Sequence, residues 1–318
     1  MGANSRIEWT HHTFNPWWGC TKVSPACDHC YAETWAKRCG LNGWGKDAER
    51  RFFGEKHWNE PLKWDRAAEK AGERHRVFCS SMADLMEDRI DLDTPRIALW
   101  RLIEQTPHLD WLLLTKRPQK FRFLPWSDPR PNVWLLTTVE SNEFMWRVEA
   151  LLEVRAVIHG VSYEPALGPA DFSPYLPDPA IRRTLDGRTL PSLAWVIAGG
   201  ESGPHARPSH PDWFRAVRDS CAKAGVAFLF KQWGEWAPKQ RFTNFYDWNK
   251  AAAHALVYAR GGFDAVPGRD KPDEELGLTC ADLDGNDGSA AMARVGKKES
   301  GRLLDGREHL EYPEVRVA

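Results

Sequence analysis

The fold is indicated by a stretch that begins at residue 111 and reads Trp111-Leu112-Leu113-Leu114-Thr115-Lys116-Arg117. Four large apolar residues stand together and are followed at once by a hydroxyl and two cations. A continuous apolar run, as opposed to one that alternates with polar residues, is typical of a parallel strand that is buried on both faces. The stretch therefore predicts an interior strand of a parallel sheet, with polar residues at its carboxyl end.

Further runs along the chain share this design, and helix-like stretches separate several of them. The apolar runs cover residues 77–79, 133–136, 156–161, 195–198 and 226–230, and an earlier strand is predicted near residues 13–18. Helices are predicted over residues 94–103, 142–153 and 211–224, and a further one is expected to begin over residues 31–38. Repetition of strand, helix and strand predicts parallel βαβ units. We therefore expect an α/β fold, a partial (β/α) TIM-like barrel of six or seven parallel strands with a C-terminal extension.

Two regions of different character divide the chain. We predict that residues 1–236 form the barrel, with insertions near residues 40–76 and 171–191. The strand–helix rhythm fades after residue 236, so residues 237–318 are predicted to form an extension that packs on the barrel. The Gly- and Asp-rich stretch 263–288 is expected to be loop-like.

Composition excludes several classes of protein. The net charge of −1 over 318 residues gives no overall attraction to nucleic acid or to an anionic membrane. The apolar runs are far shorter than the ~20 residues that a spanning helix needs, so no membrane partner is expected. The seven cysteines do not resemble a secreted disulfide framework, and no signal segment opens the chain. We expect a reducing, cytoplasmic location.

Three cysteines form the most informative motif, because Cys20, Cys27 and Cys30 make a C-x6-C-x2-C array on one loop after the first predicted strand. Thiolates are soft ligands that select zinc, copper(I) or iron–sulfur clusters. A closed zinc site uses four protein ligands, whereas a [4Fe–4S] cluster on three cysteines keeps one iron open. The spacing alone does not decide between zinc and a cluster. The candidate fourth ligands for zinc are His29, Cys39, His11 and His12.

Polar residues follow every predicted strand of the barrel. In a barrel these carboxyl ends meet at one face, where functional groups gather. A structural alternative exists at several positions, because Ser, Asp and Asn also cap helices and glycines also form tight turns. The residues are Ser80, Ser81 and Asp84; Lys116 and Arg117; Glu140 and Asn142; Ser162 and Glu164; Gly199, Gly200 and Glu201; and Lys231, Gln232 and Trp233.

The cysteine loop and the barrel together resemble the radical S-adenosylmethionine (SAM) enzymes. In that superfamily three cysteines after the first strand hold a [4Fe–4S] cluster, most often spaced C-x3-C-x2-C with an aromatic residue before the last cysteine. This chain keeps the C-x2-C half, has a first gap of six residues, and carries His29 in the aromatic position. The resemblance implies that Cys20, Cys27 and Cys30 ligate a cluster whose open iron binds SAM.

The same resemblance implies a set of ligand contacts and an external electron donor. SAM would be cleaved reductively to a radical that acts on a substrate in the barrel mouth. No catalytic residue is assigned. The implied SAM contacts are His29, Ser80, Ser81, Asp84, Glu140, Asn142, Ser162, Glu164, Gly199, Gly200 and Glu201, and the implied substrate contacts are Lys116, Arg117, Lys231, Gln232 and Trp233.

A second resemblance covers nearly the whole chain. The chain is similar to a family of phage and prophage proteins whose function is unassigned. The motifs that carry this resemblance lie at residues 7–10, 15–20, 30–32, 114–118, 199–203, 231–234 and 296–306. This resemblance implies relatives but supplies no biochemistry.

Basic residues suggest a substrate class. Two segments are basic: Lys116, Arg117, Lys120 and Arg122, with Phe121 and Phe123 interleaved, and Lys297, Lys298, Arg302 and Arg307. Such residues suit nucleic acid, although for the first segment a solvated helix face is slightly favoured. Three functions follow as hypotheses: a radical SAM-type enzyme acting on nucleic acid or a nucleotide, a zinc-stabilised nucleic-acid-binding phage protein, and an iron–sulfur protein without radical chemistry.

Overall fold

The computed structural model describes residues 2–3, 5, 7–178, 190–238, 253–266 and 288–314. The elements in chain order are β1 (His12–Thr13), β2 (Trp17–Trp18), α1 (Tyr31–Arg38), β3 (Arg51–Phe52), α2 (Glu55–Trp58), α3 (Glu60–Ala71), β4 (His75–Cys79), α4 (Asp93–Glu104), β5 (Leu109–Thr115), β6 (Val133–Thr138), α5 (Trp146–Leu152), β7 (Ile158–Tyr163), β8 (Trp195–Gly199), α6 (Pro211–Ala224), β9 (Ala227–Gln232), β10 (Trp236–Pro238), β11 (Ala253–Tyr258), β12 (Phe263–Val266), β13 (Ser289–Arg294) and α7 (Lys297–Ser300).

Seven of these strands form one parallel sheet in the order β1-β4-β5-β6-β7-β8-β9. Strands that follow one another in this list pair directly, and helices surround the sheet. The sheet is a half-barrel, which confirms the predicted α/β fold and partial TIM-like barrel. All six later strands coincide with the apolar runs of the sequence.

The first predicted strand is divided in two. β1 joins the parallel sheet, whereas β2 pairs with β3 in a separate antiparallel ribbon. Between them, Pro16 has no N–H to give to a ladder. The amide of Asn15 is used instead, accepting from the Met82 backbone N–H at 2.7 Å and donating to Ser81 Oγ at 3.1 Å. The chain therefore leaves the sheet before it reaches the cysteines.

The helices follow the sequence pattern with local changes. α6 has the predicted bounds and ends at Gly225, whose φ of 67° is the left-handed conformation that closes helices. α4 extends one residue beyond the predicted helix at each end, and the residue at its N-terminal cap position is Leu92. The predicted helix 142–153 is a 3-10 turn over Asn142–Phe144 followed by α5.

The segment 40–76, interpreted from sequence as an insertion, contains the helix that connects β1 to β4. α3 buries Trp64 and Ala68 in the main core, and it contacts β4 and β5. The second predicted insertion, 171–191, lies partly outside the described residues, as does most of the stretch 263–288, whose first residues form β12.

Apolar residues of the half-barrel pack on two sides. Trp111 and Leu113 belong to the cluster shared with the helices, whereas Leu112 between them belongs to a second cluster. This second cluster is the barrel interior, and Trp9 from the N-terminal segment joins it through Phe78 and Trp195 at ring distances of 4.7 and 6.0 Å.

Residues near the C-terminus lie along the free edge of β9. The Phe230 N–H donates to the His309 carbonyl at 2.9 Å, and Tyr312 donates through its hydroxyl to the Glu8 carbonyl at 3.1 Å. Upstream, β10 to β13 form an antiparallel sheet in the order β10-β13-β11-β12. The division of the chain at residue 236 stays a prediction. No helix in the described ranges is long and apolar enough to cross a membrane.

Candidate functional site

A cavity of about 370 Å³ lies at the carboxyl ends of the parallel strands. Strands β4, β5, β6, β7 and β9 and the segment directly after β8 contribute to its wall, and so does the cysteine loop, by which we mean residues 19–30. Most of the residues singled out from sequence are brought together here: Cys20, Cys27, His29, Cys30, Ser80, Ser81, Asp84, Lys116, Arg117, Ser162, Glu164, Gly200, Glu201, Lys231 and Gln232.

Four of the predicted contacts lie outside this lining and have other partners. Glu140 is buried and forms an ion pair with Arg147 at 2.7 Å. The Asn142 side chain accepts from the Asp171 N–H at 2.9 Å.

Trp233 is buried and donates through its indole to the Leu303 carbonyl at 2.9 Å. A Cβ on Gly199 would lie 3.2 Å from the carboxyl carbon of Glu164, so this glycine makes room for the Glu164 side chain. The remaining predicted contacts are those that the cavity brings together.

The three cysteines of the loop are free thiols at the same cavity. Cys27 is buried, and Cys20 and Cys30 are partly exposed. Burial raises the pKa of the Cys20 thiol to about 12, and Asp84 adds to this rise while Arg117 opposes it. Cys20 must therefore lose a tightly held proton before it can ligate a metal, which makes metal affinity dependent on pH.

The candidate fourth ligands differ in their positions. His29 lines the cavity, whereas Cys39 is exposed and lies outside the lining. His11 and His12 lie beside His75 at the start of β4, with His12 Nε2 3.2 Å from His75 Nδ1. Within the described ranges, no group of three or more His, Cys, Asp or Glu side chains is placed so that it could hold a metal ion.

A glycine sets the path of the cysteine loop. Gly19 has a φ of +116°, and a Cβ at this position would lie 2.4 Å from the Gly43 carbonyl oxygen. Only glycine accommodates both the backbone conformation and this close approach. The chain can therefore pass Gly43 and enter the cavity wall at Cys20.

Three arginines hold the cysteine loop from three different parts of the chain. Arg50 is buried, pairs with Glu87 at 2.7 Å and donates to Thr21 Oγ1 at 3.1 Å. Arg117 donates to the Thr21 carbonyl at 2.8 Å, and Arg207 donates to the Pro25 carbonyl at 2.8 Å.

Sequence reasoning missed Arg50 and Arg207, because neither belongs to a motif and their targets are distant along the chain. It also gave no role to Tyr31, whose hydroxyl donates to the Ser81 carbonyl at 2.9 Å beside the cavity. Its position next to Cys30 was the one available signal.

Asp84 is fully engaged inside the site. Its carboxylate pairs with Arg117 at 2.6 Å and accepts from the backbone N–H groups of Met86 and Lys116 and from the Thr115 hydroxyl. Burial alone would raise the pKa of Asp84, but Arg117 and these hydrogen bonds hold it below its usual value. Asp84 therefore stays ionised and fixes Arg117 against the cysteine loop.

Strands β7 and β9 bring a second charged group to the cavity. Lys231 Nζ lies 2.9 and 3.1 Å from the two carboxylate oxygens of Glu164. Gln232 donates through Nε2 to Glu164 at 3.2 Å and to Ser202 Oγ at 3.0 Å. Polar donors and acceptors thus share the cavity with the thiols.

The fold and site define a class: an α/β half-barrel protein with a polar cavity at the carboxyl ends of its strands. The chain belongs to a protein family of unknown function, DUF5131, whose model matches residues 4–313. No curated protein and no solved structure matches the chain. The prediction of a family without an assigned function is confirmed.

Proposed function

We propose that this protein is a radical SAM-type enzyme that binds SAM and its substrate in the cavity. One observation carries the proposal: three free cysteines of a single loop share a cavity with the polar ends of six parallel strands. A volume of about 370 Å³ falls within the range of small-molecule sites, roughly 300–1,000 Å³. Barrel enzymes carry their chemistry at this face.

In ligand type, although not in the positions that the structure gives them, the three thiols suit a cluster with one open iron. Three soft thiol ligands suit iron–sulfur chemistry, and the fourth cysteine nearest in sequence, Cys39, lies outside the cavity lining. Cys20, Cys27 and Cys30 would hold the cluster. When bound, it would supply one electron for the reductive cleavage of SAM to methionine and a radical able to abstract hydrogen from a substrate.

The chain's own residues would bind and orient these groups. Asp84, Glu164 and Glu201 are already paired with Arg117, Lys231 and Arg207, so they set the shape and charge of the walls. The other lining positions remain the proposed SAM contacts, namely His29, Ser80, Ser81, Ser162 and Gly200. The arginine contacts would hold the loop in place.

The proposal extends to substrate and surroundings. Phe123 is 62% exposed, with Lys120 and Arg122 over its ring at 5.6 and 4.9 Å. Exposed aromatic and cationic groups suit nucleic acid or a nucleotide, which we propose as substrate. The thiols described by the structure are all free, which supports a reducing, cytoplasmic setting with an external electron donor.

Metal analysis of paired variants tests the proposal. The protein is purified without oxygen, and iron, sulfide and zinc are measured beside the visible spectrum. We expect about four irons per chain, loss of the iron–sulfur absorbance in Cys27→Ser, and an unchanged spectrum in Cys39→Ser. One zinc without sulfide would instead support a zinc-stabilised binding protein, and equal iron in both variants would contradict the ligand assignment.

A further inference from the structure

One part of the cavity lining comes from the segment after β8, from β9 and from the segment after β13. Ser202, Lys231 and Lys297 all line it. The Ser202 hydroxyl oxygen accepts from Gln232 at 3.0 Å, and within the described residues its own hydrogen has no acceptor. Lys231 gives two hydrogen bonds to the carboxylate of Glu164, so its third N–H is available.

Lys297 comes from the C-terminal part of the chain. The N–H of Gly296 donates to the Glu235 carbonyl at 3.0 Å, which fixes the backbone immediately before it. Within the part of the chain that the structure describes, the Lys297 ammonium forms no ion pair or hydrogen bond. A cation at a cavity wall without a protein partner is available to a ligand.

Lys297 is exposed overall, and its surroundings carry charges of both signs. Partial burial of its side chain lowers its pKa, and Lys231 lowers it further. Glu164, Glu8 and Glu235 act in the opposite direction, but Glu164 is shared with Lys231 and Glu235 accepts from the Gly203 N–H at 3.0 Å. An anion between the two lysines would offset the repulsion between them.

We propose that Ser202, Lys231 and Lys297 form a subsite that binds a phosphate group of the ligand in this cavity. Two ammonium groups and a hydroxyl supply charge-assisted and neutral donors to the several oxygens of one phosphate. The inference deepens the proposed function. It rests on that function for the identification of the bound phosphate compound as the enzyme's substrate. The C-terminal segment would then complete the recognition of the substrate.

Binding of inorganic phosphate to the full-length, metal-free protein tests the subsite. Isothermal titration calorimetry at low salt compares wild type, Lys297→Ala, Lys297→Arg and Lys298→Ala. Lys298 is the matched control, since it is adjacent and, like Lys297, exposed, but lies outside the cavity lining. We expect Lys297→Ala to weaken binding about tenfold or more, the typical loss for a hydrogen bond to a charged group, and the other two variants to stay within about threefold.

Two results would overturn the subsite: no binding by wild type at millimolar phosphate, or equal weakening by Lys297→Ala and Lys298→Ala. A thermal melt of each variant shows that its fold is retained, and Ser202→Ala gives a second, smaller loss in support. Titration with adenosine monophosphate and with a short single-stranded DNA distinguishes a free nucleotide from nucleic acid as the source of the phosphate.

The measurement needs no cluster and no SAM cleavage. Phosphate binding without radical chemistry would support the subsite and contradict the proposed function. SAM cleavage without phosphate binding would support the proposed function and contradict the subsite.

Discussion

Asp84 lies where the cysteine loop meets the ends of β4 and β5, and its neighbours use its carboxylate completely. The sequence placed it correctly at a strand end but could not identify its partner. Arg117 is 33 positions further on, and the pairing depends on the packing of neighbouring strands. Residue type and strand position were predictable, whereas the contact was not.

Replacing Arg117 by alanine should destabilise the protein by about 3–5 kcal/mol, because it leaves the buried Asp84 carboxylate without its cation. Urea unfolding at neutral pH measures the loss. Lys120→Ala is the control, since Lys120 pairs with an exposed carboxylate, Asp88, where little is expected. A loss below about 1 kcal/mol for Arg117→Ala would mean that the pair contributes no more than a surface ion pair. That result would contradict the role of Asp84 in fixing Arg117 against the cysteine loop.

His12 should make the fold sensitive to acid. Burial lowers its pKa from 6.5 to about 4, with His75 and His11 contributing. The folded state then binds fewer protons than the unfolded chain between these values, so the free energy of unfolding falls as pH drops through this window, by up to about 3 kcal/mol.

The variant His12→Phe keeps an aromatic ring stacked on Trp64 and removes the titration. Its free energy of unfolding should change less between pH 6.5 and about 4 than that of wild type. The same substitution at the exposed His205 serves as control. An unchanged slope in His12→Phe would show that other groups cause the acid sensitivity.

At the scale of elements, the central strands were predictable because burial on both faces leaves a continuous apolar run. The first strand was not, because Asn15 is drawn towards Met82, a contact that no local pattern reveals. α3 was interpreted as part of an insertion because charged residues cover its exposed face and obscure the buried Trp64 and Ala68. Local pattern therefore identified elements that are wholly buried and missed those set by distant contacts.

The cysteine loop depends on glycine at position 19. Gly19→Ala should destabilise the protein by about 2 kcal/mol or more, since it adds backbone strain at φ +116° and a contact with the Gly43 carbonyl. Gly54→Ala is the matched control, because a Cβ there meets nothing within 4 Å. Thermal melts compare the two variants. Equal midpoints would mean that the cysteine loop accommodates a side chain at position 19 without loss of stability, which would contradict the prediction.

At the scale of the whole molecule, the C-terminal residues join the two ends of the half-barrel. Tyr312 lies 5.6 Å from Trp195 by ring centroids, has the Arg76 guanidinium 4.1 Å above its ring, and bonds the Glu8 carbonyl. The sequence predicted an extension that packs on the barrel but no particular contact. Such contacts between distant segments carry no periodic signal.

Tyr312→Ala should lower the free energy of unfolding by about 1–2 kcal/mol, because it removes an apolar contact and a cation–π interaction. Tyr312→Phe, which keeps the ring and loses only the bond to Glu8, should lose about 1 kcal/mol or less. Urea unfolding curves of both variants provide the measurement. An effect of Tyr312→Ala no larger than that of Tyr312→Phe would show that the ring contributes nothing to the junction.

The most direct test of radical chemistry is the product of SAM cleavage. The protein, purified without oxygen and loaded with iron and sulfide, is incubated with SAM and a strong reductant, and 5′-deoxyadenosine is measured by mass spectrometry. We predict that wild type forms 5′-deoxyadenosine and that the variant with Cys20, Cys27 and Cys30 all changed to serine forms none. A cluster-loaded wild type that yields no 5′-deoxyadenosine, or the same amount as the triple variant, would contradict the proposed function.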